Sequence, residues 1–131
     1  MIIATIAPNN SFVSFEFLKC ILALPPRYSY RTTEGSNIAY NRNKIFNFVK
    51  YGKKGEDLLL IDNDMIFAPE DVQTIEAHLQ TYEVISGLCA IGYKPYPPSV
   101  FKKAEKGYEF TSYEEGIHEI EATGAAFMGI S

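Results

Sequence analysis

Four consecutive apolar residues, Leu58-Leu59-Leu60-Ile61, followed at once by Asp62-Asn63-Asp64, constrain the fold more than any other segment of the chain. Side chains alternate between the two faces of a strand, so an all-apolar run must be covered on both faces and belongs inside a sheet with layers on either side. Two carboxylates at its C-terminal tip then sit where open α/β sheets bind ligands. On an extended backbone, residues 62 and 64 point the same way, so both acids can face one hard cation, and that cation can carry the phosphates of a nucleotide.

The segments on either side alternate between strand and helix patterns. Residues 1–7 form a β-branched, apolar run stopped by Pro8-Asn9-Asn10, which predicts a buried first strand and a loop. Ser11 is placed to cap a helix whose stripe of Phe12, Phe15, Leu18 and Leu22, with Ile21 as a further candidate, ends at Pro25-Pro26. Residues 28–33 alternate like a half-exposed strand. Ser36 or Asn37 then caps a second helix with Ile38, Ile45, Phe46 and Val49 on its apolar side. After the acidic triplet, Ala68-Pro69-Glu70-Asp71 opens a third helix, with proline early, acids near the positive end, and Val72, Ile75 and Leu79 facing the core. Residues 84–91 read as a strand and 93–98 as a proline-rich loop. Residues 100–103 and 108–110 read as a hairpin about Lys106-Gly107, and 118–130 as a last strand. This alternation predicts an α/β fold, a mostly parallel sheet flanked by helices, within a single domain over residues 1–131.

Apolar residues at 47% and aromatic residues at 14% supply a real core, and disorder is not a serious reading. A formal charge of −4 argues against a nucleic-acid partner, which needs a broad basic surface. Cys20 and Cys89 lack the C-x-x-C spacing of zinc or redox sites and read as buried reduced thiols. The start lacks a basic signal region, and residues 12–24 are short and interrupted by Glu16 and Lys19, so the expectation is a soluble cytoplasmic protein with no transmembrane segment. His78 and His118 have no partner ligand at suitable spacing and are left out of the metal site.

Alone, a D-x-D triplet also suits a capped, solvated turn. Its setting adds weight: an apolar strand before, a proline-led helix after, and Met65-Ile66-Phe67 between. Two acids held together at such a rim need a counterion, and Mn²⁺ or Mg²⁺ would supply it. The arrangement resembles the nucleotide-sugar glycosyltransferases of the GT-A fold, a Rossmann-like nucleotide-diphospho-sugar transferase architecture. Residues 3–8, Arg42-Asn43, Pro69-Glu70-Asp71, residues 84–88 and residues 121–128 are similar to further segments of that family. The resemblance implies a metal-dependent transfer of sugar from a nucleotide-diphosphate-sugar donor to a hydroxyl acceptor that the sequence does not identify. It implies Asp64 as metal ligand, and Asp62 on the metal through water or on the ribose. Ala7, Pro8 and Asn9 would lie beside the nucleotide, Arg42 at the diphosphate, and Glu121 as an acid facing the acceptor, hence the candidate catalytic residue.

The family's final strand is usually followed by more chain bearing an acidic pair and a late histidine, whereas this sequence stops at Ser131. The expectation is therefore a GT-A-like domain lacking the usual C-terminal part, with no assigned general base and with homo-oligomerisation as one way to cover an open edge. Two other classes stay open. A non-catalytic nucleotide-sugar binding domain fits the missing base. A nucleotidyltransferase fits metal-bound phosphates but not Pro8-Asn9-Asn10-Ser11, which lacks the glycine and lysine of its usual phosphate loop.

Overall fold

The structure is a computed structural model that describes residues 1–7, 13–90 and 98–131. In chain order the described elements are β1 (Ile2–Ala7), α1 (Phe15–Leu22), β2 (Ser29–Glu34), α2 (Ile38–Gly52), β3 (Leu58–Ile61), α3 (Pro69–His78), β4 (Val84–Ser86), β5 (Val100–Ala104), β6 (Gly107–Phe110), β7 (Ala122–Thr123) and β8 (Phe127–Ile130). Five strands form one sheet in the order β2-β1-β3-β8-β4, and three form a second in the order β6-β5-β7. Among the described residues, no helix is long and apolar enough to cross a membrane.

The expected mostly parallel sheet, and with it the GT-A architecture, is corrected by the strand directions. β1 runs parallel to β2 and β3. β8, however, lies antiparallel between β3 and β4, and the second sheet is antiparallel throughout. The result is a small α+β fold with a mixed sheet. Burial of a run fixes that it is a strand inside a sheet; it carries no information on which neighbour arrives or in which direction.

The alternation of β3 explains the two cores. Leu59 and Ile61 face one side with Ile3, Phe17, Phe67, Val72, Ile75 and Phe127, beneath α1 and α3. Leu58 and Leu60 face the other with Ile2, Ala4 and Ile45, beneath α2. All four β3 residues are buried, each aliphatic side chain contributing roughly 1.5–3 kcal/mol. In α3, Val72, Ile75 and Leu79 are buried as the spacing predicted. Its first turn is closed by the Asp71 carboxylate, which accepts from the Ala68 N–H at 2.7 Å.

Other expected faces and ends are corrected. In α1, Phe15, Leu18 and Leu22 point outward, with Phe15 69% and Leu22 74% exposed, while Phe17 is buried and Cys20 packs on the core together with Ile21, the further candidate of the expected stripe. Phe12 and the expected cap Ser11 lie outside the described residues; Ser14 caps the helix, accepting from the Phe17 N–H at 3.0 Å. Hydrophobic residues occupy both sides of this short helix, so periodicity could not choose between them. In α2, Asn37 provides the cap and Ile45 is buried, but Ile38 is exposed and the polar Asn41 is buried. Of the expected strand over 84–91, Val84–Ser86 is the strand among the described residues 84–90, and Ile91 lies outside them. The expected last strand over 118–130 is two short strands in different sheets, β7 and β8, separated at Gly124-Ala125-Ala126.

Candidate functional site

The tips of the three parallel strands build the site. β1 keeps pairing with β2 as far as Ala7 opposite Glu34, but its ladder with β3 ends at Ala4 opposite Leu60. Beyond that point β3 continues with β8 instead, up to Ile61 opposite Phe127 and an Asp62 N–H to Ala126 carbonyl bond of 2.9 Å. The backbone ladder between β1 and β3 therefore stops short of their C-terminal ends. The chain reaches β2 on one side of β1 and β3 on the other, so this gap in the ladder is a topological switch point, the place where open α/β sheets bind ligands. The buried Thr5 hydroxyl donates to the Ile61 carbonyl, replacing the ladder bond that is lost there. Sequence reasoning passed over Thr5; the signal was a hydroxyl within the otherwise apolar Ile2-Ile3-Ala4-Thr5-Ile6.

Asp62 stands at the β3 side of this gap. The Met65 N–H donates to its carbonyl at 3.2 Å, so residues 62–65 form a turn rather than a continued strand. The same-side argument for an extended backbone does not apply across a turn. The two carboxylates are nevertheless close enough to feel each other: burial pushes the Asp62 carboxyl above its ordinary range, the Arg42 guanidinium pulls it down, and the Asp64 charge pushes it up. Asp64 itself is exposed. Arg42, on α2, lies with its Nη2 3.8 Å from Asp62 Oδ1, an ion pair too long for a hydrogen bond, with side chains 31% and 47% exposed.

Gly35 and Asn41 set where α2 begins relative to the tips. The Gly35 N–H donates to the Ala7 carbonyl at 3.1 Å, and the buried Asn41 Nδ2 donates to the Gly35 carbonyl at 3.0 Å. Gly35 has φ +142°, and a Cβ there would meet Asn41 Nδ2 at 2.9 Å, so the turn is available to glycine. The tether places the next residue, Arg42, within ion-pair reach of Asp62. Ala7 is thus at the β1 tip with its carbonyl engaged by Gly35, while Pro8 and Asn9 lie outside the described residues.

Glu121 is not part of this constellation. Its carboxylate accepts the Lys103 N–H beside β7, and the residue lines a different cavity. Its expected role as an acceptor-side catalytic acid therefore has a competing structural explanation. Cys20 and Cys89 are both free thiols. Burial pushes the Cys89 thiol up, and the Asp62 charge adds to that, which marks Cys89 as a neighbour of the site that the sequence did not reveal.

Among the described residues, no group of three or more His, Cys, Asp or Glu side chains forms a metal cage. Two carboxylates at the end of β3 still suit Mg²⁺ or Mn²⁺, hard ions that commonly take one or two protein carboxylates and complete their shell with water and phosphate oxygens. The raised Asp62 carboxyl is consistent with a donor pair that gains from such a charge.

This carboxyl also makes a prediction about stability. Its folded value lies above the unfolded one, so stability linked to it is present at low pH and is lost as pH rises through the raised folded value. At neutral pH the ionised group is a cost, moderated by its partial exposure to solvent. Asp62→Asn is expected to raise Tm by about 1–3 °C at pH 7 and to leave it unchanged near pH 3, as measured by thermal melts across pH.

No protein-family model matches the chain, and no curated protein matches it. Among solved structures, the chain is similar to the crystal structure of A197 from STIV, with a TM-score of 0.67 and 22% identity over 98% of this chain. The chain spans 63% of the length of A197. At that identity the likeness shows the fold alone.

Proposed function

We propose that the chain is a metal-dependent glycosyltransferase acting on a nucleotide-diphosphate sugar, with an unidentified hydroxyl acceptor. The observation that carries this reading is the Asp62-Asn63-Asp64 triplet at the switch point between β1 and β3, with Arg42 3.8 Å from Asp62. Asp64 and Asp62 would hold Mn²⁺ or Mg²⁺, which when bound neutralises charge on a departing nucleoside diphosphate. Arg42 rests against Asp62 and would turn to the diphosphate oxygens, where charge-assisted hydrogen bonds fix the leaving group. The Thr5 bond and the Asn41 tether hold the strand tip and α2, so these charges are positioned before substrate arrives.

The test is release of nucleoside diphosphate from a panel of nucleotide sugars, in the presence of Mn²⁺ and of excess chelator. Release with at least one donor, stopped by the chelator, supports the reading. Metal-dependent binding without release supports the second reading, a nucleotide-sugar binding module, which is favoured by the Glu121 carboxylate being occupied by the Lys103 N–H.

Arg42→Ala separates the two charge roles. Removing a cation beside Asp62 is expected to tighten Mn²⁺ alone by about threefold. The same change is expected to weaken nucleoside diphosphate in the presence of Mn²⁺ by about tenfold or more. Calorimetric titrations of each ligand check both signs, and an effect in the same direction on both places Arg42 outside the phosphate site.

A further inference from the structure

A second concavity, of about 740 Å³, lies between the face of β8 and β4 that continues from Leu58 and Leu60 and the segment 112–121 that passes over it. Asp62 and Asp64 do not line it. Met128, paired with Leu60, and Val84, paired with Ile130, form its floor together with Leu88. Tyr113, Ile117 and Ile120 form the roof. The roof is held in shape by Tyr113 stacked on His118, with centroids 5.0 Å apart and an interplanar angle of 24°, and by the His118 ring Nε2 at 2.9 Å from the Glu114 carbonyl. The volume falls within the range of small-molecule sites, and the mixture of an apolar interior with a few polar groups matches them.

The charge around this cavity is one-sided. Among the described residues, Glu114, Glu119 and Glu121 line it and no lysine or arginine does. Segment 112–121 carries four glutamates and no basic residue except His118. An anionic ligand would meet repulsion from these exposed carboxylates, and a neutral one would gain nothing from them. A cation on an apolar body suits both the charge and the lining: the body covers Met128, Val84 and Leu88, and the head meets the carboxylates.

We propose that this cavity is a binding site for a cationic amphiphile, an ammonium group on an aliphatic or aromatic body. The proposal is independent of the nucleotide-sugar reading, because its residues are different and its test needs neither metal nor nucleotide. Three probes with the same tail isolate the head group: octyltrimethylammonium, octyl glucoside and octyl sulfate, each titrated calorimetrically below its micelle concentration. The expected order is cation, then neutral, then anion, with about a tenfold gap between cation and anion at low salt that narrows at high salt.

Glu114→Gln/Glu119→Gln, on an exposed segment, is expected to reduce that gap to about twofold while leaving octyl glucoside unchanged. Val84→Trp, at the sheet edge, is expected to weaken all three probes by filling the floor. Equal or tighter binding of the sulfate overturns the proposal, as does undiminished binding of the ammonium probe to Val84→Trp. Concentration-dependent dimerisation that Val84→Trp abolishes, with no probe bound, also overturns it and assigns the face to a second copy of the chain.

Discussion

Asp64→Ala is expected to lower nucleoside diphosphate release from the best donor on the order of 10³-fold, because losing one of two protein ligands forfeits several kcal/mol of charge stabilisation at the leaving group. The loss should fall on kcat and persist at saturating Mn²⁺. What gives the experiment its force is that the side chain is exposed and accepts no hydrogen bond among the described side chains, so the variant keeps its fold. Its Tm should stay within about 2 °C of the parent, and any shift should be upward, since the Asp64 charge is one of the groups that push the Asp62 carboxyl up. A variant with normal melting and at least a third of the parental turnover would place the metal elsewhere. Calorimetry with Mn²⁺ then decides whether binding has moved or was never there.

Gly129→Ala is the largest expected effect on stability from so small a change. Gly129 lies in β8 between β3 and β4, opposite Leu59 on one side and Ile85 on the other, and faces α3. A Cβ added there would stand 2.5 Å from Ile75 Cγ2, 3.1 Å from Leu79 Cδ1 and 3.4 Å from Ile85 Cγ2. Ile75 Cγ2 branches directly from Cβ, so it cannot swing aside as the end of a long side chain could, and α3 must shift. The expected cost is about 2 kcal/mol, a fall in Tm of roughly 8 °C, and about twice that energy for Gly129→Val. Urea unfolding measures it. Combining Gly129→Ala with Ile75→Ala makes the mechanism testable, because the methyl then has room. The double variant should be more stable than the sum of the two single losses by about 1 kcal/mol or more. Strict additivity would show that the clash is not with Ile75.

The places where sequence and structure agree share one feature. The β3 run, the Val72-Ile75-Leu79 face of α3, the Asn37 cap and the hairpin of β5 and β6 are each decided by neighbours a few residues away, through alternation, helical spacing, capping or a glycine turn. The errors have the opposite character. In α1 the apolar residues run round both sides, and burial of Phe17 rather than Phe15 was settled by contact with Phe67, whose ring lies 6.1 Å away and 50 positions later in the chain. The single long strand expected over 118–130 broke because Ala122–Thr123 found a partner in β5 while Phe127–Ile130 found β3 and β4.

The same division runs through the candidate site. The sequence by itself determined that two acids end a doubly buried strand, since local hydrophobicity dictates both the strand and its abrupt stop. It also supplied Arg42 as a cation on the preceding helix. Only the tertiary structure decided that Arg42 reaches Asp62, that the ladder of β1 and β3 ends at Ala4 and Leu60, that Glu121 is engaged by the Lys103 N–H, and that β8 enters antiparallel. Strand order, strand direction and the pairing of distant charges are set by which segments meet when the whole chain packs. A hydrophobic pattern reports how much each residue gains from leaving water, and that gain is non-directional.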